Sequence, residues 1–154
     1  MEILPLADRK QFIAELAELH HAEWKHLNPS LTLEGRAEAI TEAAGREGIP
    51  SMFIAVSGDQ LVGSAALVRN DMDTKLDLTP WLAAVYVKEG FRRQGVATDL
   101  IARCEIEAAR SNASVWYLYT ELASGLYEKL GWRHLERCEY KGVTVDVMRK
   151  QITS

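Results

Sequence analysis

The chain has 154 residues, of which 47% are apolar and 26% charged, and a net charge of −4. These are globular proportions for a single domain over residues 1–154, and a chain of this size can bury about two-thirds of its unfolded surface without staples. The acidic balance argues against a nucleic-acid partner, which calls for a basic face. No apolar run approaches the ~18 residues of a membrane span, and Met1–Leu6 carries Glu2 and lacks a basic start and a long apolar run, so no membrane partner and a cytoplasmic location are expected. The two cysteines, Cys104 and Cys138, suggest neither a disulfide framework nor a zinc spacing, and no metal is expected.

Read in chain order, Glu2–Ala7 fits a short strand. Asp8 then opens a helix, with Gln11 completing a variant of the capping box. Phe12, Ile13, Leu16 and Leu19 recur at helical spacing, so this helix buries one face as far as about Trp24. Asn28-Pro29 breaks the chain, and a second helix covers about 33–44, closed near Gly45. Ser51–Ser57 and Gln60–Val68 read as strands of a hairpin turning at Gly58-Asp59. Residues 69–80 form a polar loop with Asp71, Asp73 and Asp77. Trp81–Val87 is apolar on both faces, which marks a central strand covered on both sides. The next helix carries a stripe of Val96, Ala97, Leu100, Ile101, Cys104 and Ala108, with Arg103, Glu105 and Glu107 on its solvated side. A strand at 115–120, a helix at 122–130 ended by Gly131, and strands near 133–140 and 143–148 joined by Lys141-Gly142 complete the chain. The order β-αα-βββ-α-β-α-ββ makes this an α/β chain.

The joint between the apolar strand and the helix at 96 is the most specific feature. Four backbone N–H groups open a helix without internal partners, and the helix dipole places partial positive charge there. Arg92 and Arg93 add two full charges, Gly95 permits a tight turn and a close backbone approach, and Ala97 is small. The ligand this suggests is a phosphate or pyrophosphate, against the alternative of a merely solvated basic loop. Neither G-x-x-x-x-G-K-[ST] nor G-x-G-x-x-G is present, so no ordinary NTPase or Rossmann site is indicated.

Arg92-Arg93-Gln94-Gly95-Val96-Ala97 resembles the R/Q-x-x-G-x-G/A pyrophosphate loop of GCN5-related N-acetyltransferases (GNAT). About thirty residues on, Leu126-Tyr127-Glu128-Lys129-Leu130-Gly131-Trp132 is similar to that family's "lYeklGF" segment, and Val115–Thr120 lies between as the expected strand. The resemblance is clearest over 81–132. It implies a mixed central sheet flanked by helices, in which the neighbouring parallel strands 81–87 and 115–120 splay apart. It also implies acetyl-CoA as cosubstrate and direct attack on its thioester, in a ternary complex, by a primary amine of a small molecule or a protein.

The same resemblance assigns residues. Arg92, Arg93, Gln94, Gly95, Val96, Ala97 and Thr98 would hold the pyrophosphate. The backbone of Val85, Tyr86 and Val87 would pair with pantetheine and face the thioester oxygen, and Thr120 sits near the place where many members carry a cofactor-binding Asn. Tyr127 would be the general acid that protonates the departing thiolate. A phenol near pKa ~10 and a thiol near ~8.5 make that transfer uphill by roughly 2 kcal/mol in water. Neutralising a lysine-like amine at pH 7 costs about 4.6 kcal/mol but an α-amine only about 1 kcal/mol. Asp77, just before the central strand, is the candidate base, with a water chain as the alternative. His20, His21 and His26 cluster near Trp24 without the H-E-x-x-H spacing of a zinc helix. Because the family builds its acceptor pocket from the first two helices, His21, Trp24 and His26 are the candidate acceptor contacts. Trp81, Trp116 and Trp132 read as core. A non-catalytic acyl-CoA-binding or regulatory module and a nucleotide-phosphate binder are the rival readings, and the exposed late strands could pair in a homodimer.

Overall fold

A computed structural model describes residues 1–152. Seven strands, β1 (Glu2–Pro5), β2 (Ser51–Ser57), β3 (Gln60–Val68), β4 (Trp81–Val87), β5 (Val115–Thr120), β6 (Arg133–Tyr140) and β7 (Val143–Gln151), form one sheet in the order β1-β2-β3-β4-β5-β7-β6. Every neighbouring pair is antiparallel except β4 and β5, which run parallel. Helices α1 (Ile13–Trp24), α2 (Leu33–Ala43), α3 (Val96–Arg110) and α4 (Ser124–Lys129) complete the α/β architecture.

The alternation of side chains along a strand separates two cores. Phe53 and Ala55 of β2 pack beneath α3 with Leu100, Ile101 and Cys104, while Met52, Ile54 and Val56 meet Leu16 of α1 and Ile40 of α2 on the other face. Farther along the sheet that second face continues as Trp81, Tyr140, Val145 and Val147, roofed by Met72 of the 69–80 loop. Trp81, Trp116 and Trp132 are buried as expected.

Several boundaries differ from the sequence reading. β1 stops at Pro5, and Leu6–Asp8 and Lys10–Phe12 form 3₁₀ turns, so the first helix opens at Ile13 rather than Asp8. Asp8 caps nothing. Its carboxylate instead takes a two-pronged contact from Arg46 beyond α2, at 3.1 and 3.2 Å. The capped helix is α2, where the Thr32 hydroxyl oxygen accepts the Gly35 N–H at 2.9 Å. α4 is shorter than 122–130, and β7 is three residues longer than 143–148 because Arg149, Lys150 and Gln151 pair with Tyr117, Trp116 and Val115. Gly131 (φ 94°) ends α4 in a Schellman turn, in which its N–H reaches Glu128 O and the Trp132 N–H reaches Tyr127 O.

Glu107 does not face solvent. It is 2% exposed, and it accepts the Gly48 N–H at 3.0 Å and guanidinium groups of Arg103 and Arg110 at 2.7 and 3.2 Å. Burial alone would raise its pKa, but the amide and the two arginines outweigh burial and hold the carboxyl below the usual range. β4 also departs from expectation. It is central, yet only Trp81 and Leu82 are buried, and the remaining residues are half-buried.

Candidate active site

β4 is open because its two flanks fail in different ways. Toward β5, pairing is confined to Trp81 opposite Tyr117, supported by the Tyr117 N–H to Pro80 O at 3.1 Å, after which the strands separate. Toward β3, the register slips between Ser64 and Ala66, since Ser64 faces Tyr86 but Ala66 faces Ala83. The extra residue is a bulge at Ala84, whose φ of 55° is left-handed and unusual for a side chain with a Cβ. Bulges of this kind re-aim backbone groups beside active sites.

A cavity of about 510 Å³ occupies the gap. Its wall includes Met52, Ala66, Ala84 and Tyr119, on the side of α1 and α2, and Leu82, Leu118 and Tyr127, which belong to the α3 side. The cavity therefore passes through the sheet where β4 and β5 diverge. Two ligands entering from opposite faces would meet at the bulge.

On the α3 side, the chain leaves β4 through a loop with left-handed residues at Gly90, Arg93 and Gly95 (φ 96°, 64° and 82°). Gly95 precedes the helix as its N-cap and offers no side chain. The first bond closing the helix runs from the Asp99 N–H to Gly95 O at 3.0 Å. Among the described residues, the amides of Val96, Ala97 and Thr98 have no backbone acceptor, which leaves an anion site at the helix dipole's positive end. Arg92 donates to Val87 O at 2.8 Å and Gln94 to Gly90 O at 3.3 Å, so both side chains brace the loop. Arg92, Arg93, Gln94, Gly95 and Thr98 are exposed.

Tyr127, on α4, is 6% exposed, with its ring edge-on to Trp132 at 6.1 Å. It reaches the cavity wall, and burial pushes its phenol pKa up to about 12. Thr120 also lines the cavity, where its hydroxyl oxygen accepts the Ala123 N–H at 3.0 Å and so shapes the turn into α4.

The histidines sort differently from the sequence reading. Trp24 and His26 line the cavity, and His26 pairs with Glu121 at 2.8 Å. His21 lies outside the lining and accepts from Arg36 Nε at 3.4 Å. His20 takes its place. It is 2% exposed, stacked edge-on against Trp24 (4.8 Å) and Tyr86 (6.1 Å), with Nε2 2.9 Å from Ser64 Oγ. Ser64 Oγ–H donates to Ala84 O at 2.8 Å, which uses the hydroxyl's one proton, so the imidazole is the donor in the other bond. Burial, with a smaller effect from Arg36, lowers the His20 pKa to about 3 and keeps the ring neutral. The bulge carbonyl is thus tied through Ser64 to α1. A lone serine in a strand and one histidine among three gave no sequence signal for this.

The acidic loop also sorts. Asp73 and Asp77 are exposed and outside the cavity lining, while half-buried Asp71 enters it. Burial pushes Asp71 up to about 7, with Lys141 acting in the opposite sense. Among the described residues, no group of three or more His, Cys, Asp or Glu could hold a metal ion. No helix among the described residues is long and apolar enough to cross a membrane.

Comparison with known proteins agrees with this geometry. Residues 49–134 match a family model described as an acetyltransferase (GNAT) domain. No curated protein matches the sequence. Among solved structures, an aminoglycoside 6'-N-acetyltransferase complexed with coenzyme A superimposes with a TM-score of 0.78 at 20% identity, covering 100% of this chain and 98% of that one. The aminoglycoside 6'-N-acetyltransferase from Enterococcus faecium gives 0.75 at 19%, over 100% and 98%. An acetyltransferase from Streptococcus agalactiae gives 0.72 at 18%, over 97% and 97%. At these identities the likeness is one of fold.

Proposed function

We propose, on the premise that the chain belongs to the GNAT family of N-acetyltransferases, that it transfers the acetyl group of acetyl-CoA to a primary amine of a small molecule. The observation that carries this reading is the cavity crossing the sheet between β4 and β5, with unpartnered helix amides on one side and Tyr127 in its wall. A structural neighbour is described with coenzyme A bound, which supports the choice of donor.

The amides of Val96, Ala97 and Thr98 hold the pyrophosphate, with Arg93 and Gly95 shaping the loop and Arg92 and Gln94 bracing it. The half-buried backbone of Val85, Tyr86 and Val87, freed by the splay, pairs with the pantetheine arm. An amide beside the Ala84 bulge faces the thioester oxygen and stabilises the negative charge that develops there as the amine attacks. Thr120, whose hydroxyl proton remains available, offers one further donor.

Tyr127 then gives its proton to the leaving sulfur. With its phenol at about 12, transfer to a thiolate solvated in water would be uphill by roughly 5 kcal/mol. The thiolate forms in the same dry cleft, however, and desolvation raises its pKa as well, so the two shifts offset each other. Asp71, in the cavity with a pKa near 7, replaces Asp77 as the candidate base. Trp24 and His26 contribute to the acceptor end of the cavity, and His21 supports that end from behind Arg36.

The test is thiol release from acetyl-CoA by the purified protein with a panel of primary amines. Acceptor-dependent release is expected. Tight coenzyme A binding with no release for any amine would replace this reading with that of an acyl-CoA-binding module.

A further inference from the structure

The charged groups around the cavity are unequally partnered. At its mouth Glu121 is engaged by His26 at 2.8 Å. Deeper, on the α2 side, the Arg36 guanidinium makes a single side-chain hydrogen bond, from Nε to the His21 imidazole at 3.4 Å. Its two terminal nitrogens have no hydrogen-bond or carboxylate partner among the described residues, although the side chain is only half exposed and lines the cavity. Removing a guanidinium from water without an opposing charge is costly, and burial already lowers its pKa. The same wall carries Lys141, whose ammonium lies 5.4 Å over the Tyr140 ring. Asp71 also has no hydrogen bond or ion pair among the described residues, and the half-buried Tyr119 hydroxyl interacts electrostatically with both Asp71 and Arg36. One end of the cavity therefore presents an unsatisfied planar fork of donors and, across Tyr119, an unsatisfied carboxyl.

From this arrangement we infer that the acceptor is an amine that also bears a carboxylate, and that Arg36 is the residue that selects it. A planar guanidinium with both terminal nitrogens unpartnered offers its end-on edge to a carboxylate in two parallel hydrogen bonds. The acceptor's own ammonium then falls on the Asp71 side, where it is deprotonated before attack. A polycationic amine would meet Arg36 and Lys141 as like charges beside the carboxylates of Glu23, Asp71 and Glu121 in the same lining, so the aminoglycoside chemistry in the names of the structural neighbours does not follow from the fold alone. The inference rests on the transferase reading for its chemistry, and on Arg36 alone for its selectivity.

The experiment uses matched probes, L-α-amino acids and their carboxamides, which share the amine and differ in the carboxylate. In the wild-type protein with acetyl-CoA, at least one amino acid is expected to exceed its carboxamide in kcat/KM by roughly tenfold or more, the scale of one charge-assisted hydrogen bond. Arg36→Ala should bring that ratio close to one by raising the KM of the amino acid at least several-fold more than that of its carboxamide. Arg36→Glu should invert the preference. Calorimetric titration of the same probes into the CoA-bound protein reads the selectivity without turnover, so loss of turnover alone overturns the transferase reading and leaves this one standing on binding. A wild-type protein indifferent to the carboxylate, a preference that Arg36→Ala does not change, or no binding of any probe overturns the assignment.

Discussion

The two ends of the cavity are built by different means. At the proposed donor end, the candidate anion site consists of backbone amides of consecutive residues, shaped by Gly95 and the left-handed Arg93 and braced by side chains within five residues of their carbonyls. At the proposed acceptor end, Trp24, Arg36, Asp71 and Lys141 come from α1, α2, a loop and a hairpin tip. A site made of backbone over one short stretch survives changes in most of its side chains. A site assembled from four distant segments can be re-specified by one substitution, which is why a shared fold at 20% identity leaves the acceptor open.

The largest expected effect falls where the two ends meet. Tyr127→Phe keeps the ring against Trp132 and removes only the proton donor. It should lower kcat by about 10²-fold or more while the KM for acetyl-CoA stays within about twofold. An unchanged kcat at saturation would remove Tyr127 from the chemistry. Because its phenol titrates near 12, Tyr127 should also add no alkaline limb to the rate profile up to about pH 10.

The donor end breaks by backbone. Gly95 has φ of 82°, and a Cβ there would touch nothing within 4 Å, so Gly95→Ala introduces conformational strain without a clash. A left-handed alanine costs about 1–2 kcal/mol. If the loop relaxes to avoid that cost, the helix amides lose their aim, and the KM for acetyl-CoA should rise by roughly tenfold with kcat nearly constant. An equal loss in kcat alone would place the helix amides away from the cosubstrate.

The join between the ends should respond to Ser64→Ala. This change leaves Ala84 O without its 2.8 Å partner and His20 Nε2 without its 2.9 Å partner in a buried site. Unsatisfied buried groups cost about 1–3 kcal/mol, so the melting temperature should fall. Freed from its tether, the bulge should lose alignment, with kcat down by about tenfold. Nitrogen NMR of His20 should show a neutral Nε2–H ring in the wild type well below pH 6, as its pKa of about 3 requires. A ring that titrates near 6.5 would break the relay.

How much of this was legible in the sequence follows the same division. The strand-loop-helix joint and the α4 segment stand out in the sequence because each is a local pattern of consecutive residues, and the structure forms both elements there. The splay was expected by resemblance alone, and it is visible in the single β4–β5 pair. The bulge was not legible, because nothing about alanine at position 84 announces a left-handed backbone. Gly63 was equally silent, although a Cβ there would come within 2.5 Å of Tyr86 O. Helical periodicity puts Glu107 seven residues after Leu100 and three after Cys104, on the buried face, but a charged side chain reads as solvated when its partner, Gly48, lies fifty-nine positions away. Asp77 lies outside the cavity lining and Asp71 within it for a related reason. Nearness to β4 in sequence does not say which way the 69–80 loop folds, and it is Met72 that turns inward and carries Asp71 with it.

That last pair supplies the smallest effect and the sharpest contrast. Asp77→Asn alters an exposed carboxylate outside the cavity and should leave kcat, KM and melting temperature unchanged within error. The wild-type rate is expected to fall below about pH 7, and Asp71→Asn should remove that acid limb. Stability gives an independent reading of the same carboxyl. Its folded pKa of about 7 lies above the ordinary 3.8, so the folded chain keeps a proton that the unfolded chain releases. That proton's contribution is complete below about pH 4 and is lost as pH rises through 7. The asparagine variant has no charge to desolvate, so its melting temperature relative to wild type should climb between about pH 4 and pH 7 and level off above. If the difference is flat across that range, Asp71 is an ordinary surface carboxylate and the acceptor end has no base of its own. Deprotonation would then have to occur in solvent, which favours amines of low pKa and would narrow the acceptor class from the chemical side.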